Sequence, residues 1–574
     1  MSTVSQQLTD LIAVAAVTAG HGDSPIPLEP CVPTNNPEHG DYQSNYAFRL
    51  GKSLRTNPRE VAAAIVQALP ANDLVGSADV AGPGFINFRL ADDWLSADVQ
   101  ARSADSRLNG PTPGAGKNVV IDYSSPNIAK RMHVGHIRST IIGNALHRLL
   151  VFLGYSVTAD NHVGDWGTQF GKLIVGWHDW RDDAAYAEDP IAELQRIYQG
   201  FGDRAEADPS LIDRARAETA KLQKGDATNL ALWEQFVEAS LIEFDSVYER
   251  LGVDFDVVHG ESFYRDGLQD LIDELLERGI AKHNEGAVII EFDKSDGKGL
   301  GTPLLIRKSD GAALYGTTDL ATVRHRMQTW APSDIIYVTD LRQKLHFRQV
   351  FAACRKMGVD DVALHHVPFG MLRFPDGAVA ATRGGGTVNL VDVLDTAVEK
   401  ARAIVEEKSG HLPEDEKARI AEAIGVGAVK YSDLSQNPQT DITFDWEKSL
   451  ALDGNSSPYM LYAYARCANI LRKGEERGAV PTTLNIGHPL EREIAIGVVR
   501  TVEAIEQAAR TWRPNILADH LYGLSQSLSR FYPVCRVLSD DAETTGSRLV
   551  LIQATANALK IGLDLLGLQV QPRM

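Results

Sequence analysis

The sequence predicts an α/β multidomain chain, with a parallel sheet at its centre, an α+β part before it and an all-helical part after it. Three observations carry this. Val119–Gly154 runs through strand, polar break and helix in immediate succession. Two later stretches, YSVTADNHVGDWGTQFG and DIIYVTDLRQKLHFRQVF, repeat the change from a strand to a helix. From about Trp446 the apolar residues keep a helical period to the end of the chain.

The first part spans residues 1 to about 106. MSTVSQQLTDLIAVAAV has no basic flank of the signal-peptide kind and reads as an amphipathic helix. A polar loop and two helical patterns follow. AGPGFINFRL is a Gly/Pro turn feeding an alternating strand, with Phe85, Asn87 and Arg89 opposite Ile86, Phe88 and Leu90. SADSRLNGPTPGAGKN then reads as a linker.

The central stretch opens on Val119–Tyr123, an apolar β-branched run suited to a buried strand. Ser124-Ser125-Pro126-Asn127 ends it, because proline disfavours helix at the residue before it. From Val134 the residues Ile137, Ile141, Ala145, Leu149 and Leu153 recur near 3.6, and Gly154 is a natural stop. Anions sit well against the amides of such a helix start. There the chain places His133-Val134-Gly135-His136. The two imidazoles offer donors to phosphate oxygens, and the glycine lets a flat adenine approach the backbone.

The second strand leads into Asp165, Trp166 and Gln169, at the end where open α/β sheets bind ligands. Residues 181 to about 250 are charged and helical, with no nameable chemistry. His259-Gly260-Glu261-Ser262 follows the strand-like VDFDVV. Tyr315 and Asp319 share a face if their segment coils. Gln343 and His346 stand near the turn of the third strand-to-helix stretch.

HVGH resembles the HIGH signature of class I aminoacyl-tRNA synthetases, and SSPNIAKRMHVGHIRSTIIGNAL is similar to the same segment of arginyl-tRNA synthetases. The resemblance extends over essentially the whole chain. It implies a Rossmann-type class I synthetase catalytic domain over 107–446. Residues 1–106 would be the N-terminal α+β appended domain that contacts tRNA, where HGDYQSNYA and GPGFINFRL carry the likeness. Residues 447–574 would be the α-helical anticodon-binding domain.

Arginine is a planar fork of donors with no acceptor, best held by carboxylates and a ring. By resemblance, Glu261 and Asp319 hold the guanidinium with Tyr315 beside it. Ser125, Asn127, His133 and Gln343 hold the backbone end, with Asp122 as the acidic position before the loop. His133, Gly135, His136 and Met371 fall to ATP. The family's second signature, a lysine-bearing KMSKS-type loop, should follow HHVPFGML. Here RFPDGAVAATRGGGTV stands instead, with Ala378, Val379 and Ala381 where relatives commonly carry lysines. Thr382 and Arg383 remain, and Lys130 takes the place of a substitute lysine ahead of HVGH. Catalysis then falls to His133, His136, Lys130 and Arg383. For tRNA, GNSSPYMLYAYARCANILRKGEERG offers Tyr459, Tyr462, Tyr464 and Arg466 as stacking and cationic candidates, and Met574 belongs to the ending that meets the anticodon.

Composition bounds this reading. With 574 residues, three or so domains fit a prior of roughly 150 residues each. No apolar run reaches the roughly 20 residues that span a membrane. The four cysteines are far apart, which argues against a zinc knot or disulfide framework and fits a reducing cytoplasm. A net charge of −19 does not by itself suggest an RNA partner, although one groove can be basic on an acidic enzyme. The expected activity is arginine–tRNA ligation. ATP enters as its Mg²⁺ complex, L-arginine and tRNA-Arg are the other partners, and no protein-bound metal is expected. A cytoplasmic monomer is expected, and by resemblance tRNA must bind before arginine is activated. The rivals are a specialised paralogue from a secondary-metabolite or resistance pathway, motivated by the lysine-poor loop, and a non-catalytic arginine- or tRNA-binding protein.

Overall fold

The computed structural model describes residues 2–574 except 35, 310 and 374–387. Its central sheet has four parallel strands: β1 (Asn118–Asp122), β2 (Ser156–Asp160), β3 (Asp334–Asp340) and β4 (Ala363–Phe369), in the order β4-β3-β1-β2. Val119, Val120 and Ile121 are all buried, as a continuous apolar run in a parallel sheet should be. The chain leaves β1 for β2 on one side and later returns to β3 on the other. That reversal opens a crevice between the carboxyl ends of β1 and β3, where doubly wound sheets bind ligands.

Helix α1 (Val134–Phe152) follows β1, and all five apolar positions of its predicted stripe, through Leu153 just beyond it, are buried. Gly154 takes the left-handed conformation, φ 86°, that stops it. Helix and strand approach closely at Gly143, where a Cβ would lie 2.2 Å from the Tyr123 ring. Gly143→Ala should therefore cost about 2 kcal/mol of stability by overpacking, read as a lowered denaturation midpoint at unchanged m-value.

Helix α2 (Tyr315–Trp330) precedes β3 and α3 (Lys344–Lys356) follows it. Tyr315 and Asp319 thus do share the first turns of one helix. The charged stretch after β2 folds as the helices Asp183–Glu188, Pro190–Ala207, Ser210–Gln223 and Ala227–Leu251. VDFDVV forms no strand. Val257 makes a single bridge to Asp160, and the segment runs on into the short 3₁₀ turn Glu261–Gly267.

Chain contacts divide the protein into two units, residues 114–401 with 428–449, and residues 1–113 with 402–427 and 450–574. The first holds the central sheet. The second joins an antiparallel sheet (Val32–Pro33, Tyr42–Ser44, Phe85–Leu90 and Val75–Ala81) to the C-terminal helices. Ile86, Phe88 and Leu90 face its core as the alternation predicts. Asp41 and Tyr42 of the HGDYQSNYA stretch are held by helix Pro489–Thr511. Arg492 donates to both Asp41 carboxylate oxygens at 2.9 and 2.8 Å, and the Tyr42 hydroxyl donates to Glu503 at 2.9 Å. Among the described residues no helix is long and apolar enough to cross a membrane.

Candidate active site

The loop from β1 to α1 is bent sharply. Ser124, Ser125 and Ala129 all have left-handed φ, of 73°, 50° and 61°, which costs non-glycine residues free energy and persists only where neighbours fix it. The Ser124 amide donates to Ser139 Oγ at 2.9 Å and the Ser125 amide to Asn161 Oδ1 at 3.0 Å. Asn127 bridges to Gly164, where a Cβ would lie 2.3 Å from Asn127 Oδ1 and would push that side-chain amide aside.

HVGH forms the N-terminus of α1. His133 is the N-cap, its Nδ1 accepting from the Gly135 amide at 3.0 Å, and its own amide donates to His136 Nδ1 at 3.2 Å. The rings stack with centroids 3.9 Å apart. With both Nδ1 atoms used as acceptors, a neutral ring at either position carries its proton on Nε2 and keeps one donor for a ligand. Burial holds the His136 imidazolium down to about 3, helped by the charges of His133 and Lys130. Burial and then Lys130 lower His133 as well. Gly135 is glycine for a local reason: a Cβ there would lie 2.7 Å from the His133 ring.

Across the crevice the walls are acidic. Glu261 starts its 3₁₀ turn after Gly260, where a Cβ would lie 2.5 Å from the Asp165 carboxylate. Asp165 in turn accepts from the Ser262 amide at 2.8 Å and its hydroxyl at 2.6 Å. The Asp319 carboxylate is hydrogen-bonded to His346 Nε2 at 2.5 Å. Burial lowers the His346 imidazolium, but Asp319, by that bond and by its charge, holds it above its ordinary value. Glu261 is pushed up to about 8, first by burial and then by the charges of Asp165 and Asp319. Among the described residues no arginine or lysine pairs with it. A carboxylate without a cationic partner, with the Asp165 and Asp319 charges nearby, suits a cationic ligand.

The empty pocket holds a proton on Glu261 below about 8. A cationic ligand requires the carboxylate and expels that proton. Affinity for a guanidinium ligand should rise about tenfold per pH unit between roughly pH 6 and 8, then level off. Calorimetry at pH 7 in buffers of different ionisation enthalpy should report release of nearly one proton. No release would mean that Glu261 does not face the guanidinium.

One cavity of about 790 Å³ gathers Asp122, Ser125, Asn127, His133, Gly135, His136, Glu261, Tyr315, Asp319, Gln343 and Met371. Lys130 is not on its wall. Its Nζ lies 4.5 Å from the centre of the Tyr198 ring, yet its charge reaches both histidines. Arg383 and the lysine-poor loop lie outside the described residues. Asp122 lines the cavity with its carboxylate already engaged, Oδ1 accepting from Ser125 Oγ at 3.1 Å and Oδ2 from Arg326 at 2.6 Å. Arg326 is fully buried and also binds Asp160 at 2.8 Å. Sequence reading missed this triad, since nothing in Val323–Met327 marks one of two neighbouring arginines for burial. It also missed Arg138, a buried wall residue that grips Asp433 with two bonds of 2.9 Å and the Thr440 carbonyl at 2.9 Å. The segment beyond supports Met371, whose amide donates to Asp441 at 2.8 Å.

Comparison with known proteins finds the same architecture. The family described as "tRNA synthetases class I (R), catalytic domain" matches residues 99–446, "Arginyl tRNA synthetase N terminal domain" matches 3–90, and "DALR anticodon binding domain" matches 460–574. The chain is 44% identical to an arginine–tRNA ligase of Fusobacterium nucleatum over the full length of both. The chain belongs to the arginyl-tRNA synthetase family. It is also 41% identical to an arginine–tRNA ligase of Laribacter hongkongensis, again over all of both chains. Among solved structures, arginyl-tRNA synthetase from Plasmodium falciparum superposes with a TM-score of 0.84 at 26% identity, covering 100% of each chain.

The fold is accordingly that of an arginyl-tRNA synthetase: a class I catalytic domain between an N-terminal domain and a helical anticodon-binding domain. In the latter, Tyr459, Tyr462, Arg466 and Met574 line one cavity of about 360 Å³, beside Lys408. Tyr459 donates to or accepts from Ser529 Oγ at 2.9 Å, while the Arg466 guanidinium sits 5.1 Å from the Tyr532 ring centre. Tyr464 is not on that wall.

Proposed function

We propose that the chain is an arginine–tRNA ligase whose amino-acid subsite is the acidic end of the crevice and whose ATP subsite is the HVGH end. The observation that carries this is the juxtaposition in one cavity of Glu261, which no arginine or lysine among the described residues pairs with, beside Asp319, and of two imidazoles at a helix start. The first selects a guanidinium and the second receives phosphate.

In this reading Glu261 and Asp319 hold the guanidinium, Tyr315 covers it, and Ser125, Asn127 and Gln343 steer the carboxylate toward the α-phosphate of ATP, taken as its magnesium complex. Asp122, tied to Arg326, is the fixed floor of that subsite. The arginine carboxylate attacks the α-phosphorus, pyrophosphate leaves, and arginyl-adenylate forms. The ribose hydroxyl of the terminal adenosine of tRNA-Arg then attacks the arginyl carbonyl and releases AMP. The protein's work is positioning and charge stabilisation. The His133 and His136 Nε2 protons donate to phosphate oxygens. Lys130 supplies the fixed positive charge that the lysine-poor loop does not, together with Arg383. Tyr459, Tyr462, Arg466 and Met574 meet the anticodon, and the enzyme works as a cytoplasmic monomer.

The test is arginine-dependent ATP–pyrophosphate exchange with and without tRNA, with citrulline as the competing amino acid. Citrulline has arginine's shape without its charge and would leave a carboxylate unpaired, at a cost of about 3 kcal/mol or more. Charging at least about 100-fold below arginine is expected. Comparable use of both would remove the acidic subsite, and absence of any exchange would favour a binding protein over a ligase.

A further inference from the structure

The residues just ahead of HVGH rest on the charged helical stretch, residues 181 to about 250, whose sequence shows no nameable chemistry. The Ala129 amide, at a strained φ of 61°, donates to Ser240 Oγ at 2.9 Å. The Arg131 guanidinium pairs with Asp189, the N-cap of helix Pro190–Ala207, and lies 3.6 Å from Glu243. Lys130, between them, is held differently: its ammonium packs on the face of Tyr198.

We propose that Tyr198 is a positioning residue for arginine activation, its ring holding the Lys130 ammonium ready for the phosphates of ATP. The inference rests on the phosphate role given to Lys130 above.

The contrast between neighbours carries it. Arg131 meets carboxylates, and its charge is spent on anchoring the loop. Lys130 meets an aromatic face, which attracts a cation without neutralising it. A free lysine has four rotatable bonds and loses that freedom when it binds phosphate, whereas a lysine already packed on a ring has lost part of it beforehand. Tyr198 is also flanked by a second cation, Lys172, with Nζ 5.6 Å from the ring centre. The group sharing the Tyr198 ring with Lys130 is thus a second cation and not a carboxylate. The Lys130 charge acts at the helix start, where it adds to burial in lowering His133 and His136.

The experiment is a mutant cycle on arginine-dependent ATP–pyrophosphate exchange with tRNA present. Tyr198→Phe should stay within about twofold of wild type. Tyr198→Leu should lose about tenfold in kcat with the arginine KM unchanged, the size expected for a partly desolvated cation–ring contact. Tyr198→Glu is the sharper variant. It would hold the ammonium mechanically but quench its charge, so it should be at least as slow as the leucine variant. In a Lys130→Ala background Tyr198→Leu should cost nothing further. Tyr198→Met, which keeps the apolar bulk, stands in if leucine unfolds the segment.

A full tenfold loss persisting in the Lys130→Ala background would overturn the inference, as would a glutamate variant at wild-type rate. Slow Lys130→Ala with wild-type Tyr198→Leu would remove only the role of Tyr198. Wild-type rate in Lys130→Ala itself would instead remove the phosphate role of Lys130.

Discussion

Glu261→Gln is expected to raise the arginine KM about 100-fold at pH 7 and to leave the ATP KM within about twofold. Removing one partner of a desolvated charge pair costs 2–5 kcal/mol, and about 4 is apt where a second carboxylate, Asp319, stays behind. The full amount is not realised at neutral pH. Glu261 is held near 8, so in the wild-type protein it must first lose a proton, at about 1.4 kcal/mol for each pH unit below that value. The remainder, about 2.7 kcal/mol, is the 100-fold. At pH 9 the proton is already gone from the wild type, so the gap should widen to nearly 1,000-fold while the variant's own KM hardly moves with pH. A pH-independent gap would show that the carboxylate contributes by shape or packing and not by its charge. Discrimination against citrulline should narrow in the same variant, because the neutral amide no longer penalises a neutral ligand.

Lys130→Ala is expected to slow activation several-hundred-fold with little change in the arginine KM. One preorganised cationic or hydrogen-bonding contact to developing charge is worth about 3–4 kcal/mol in a desolvated site, and effects confined to the transition state appear in kcat. A structural role would look different. The ring contact alone is worth about 0.5–2 kcal/mol and would be lost from stability, leaving turnover intact. A second readout separates the two. The charge of Lys130 adds to the effect of burial in lowering His133 and His136, so both imidazoles should titrate higher in the variant, by proton-detected NMR of the ring resonances. An unchanged rate alongside shifted histidines would mean that the charge is near the helix start but unused in catalysis.

Much of the catalytic core was legible in the sequence because its causes are local. The β-branched run of β1, the proline that ends it, the 3.6-residue stripe of α1 and the stop at Gly154 each act within a few residues. HVGH is local too, since His133 and His136 cap their own helix and Gly135 makes room for the His133 ring. Tyr315 and Asp319 share a face for the same reason. The positions of Glu261, Gln343 and Met371 in the pocket came from family resemblance, since a carboxylate after a poorly formed strand has no local signature.

Only the tertiary structure decided the rest. Parallel strands bring together residues far apart in the chain, and nothing in their spacing says which loops will meet at the crevice. Thus Gly260 packs against the Asp165 carboxylate, and Gly164 against the Asn127 side-chain amide. Asp122 turns out to be bound by Arg326, and Asp319 by His346. Whether a cation is spent on a carboxylate, as Arg131 is, or left charged on a ring, as Lys130 is, depends on side chains from a different helical segment. The sequence by itself determined the secondary structure around the site and the types of residue it contains. Charge state and pairing were left to packing, because both depend on the distances and burial that the assembled fold creates.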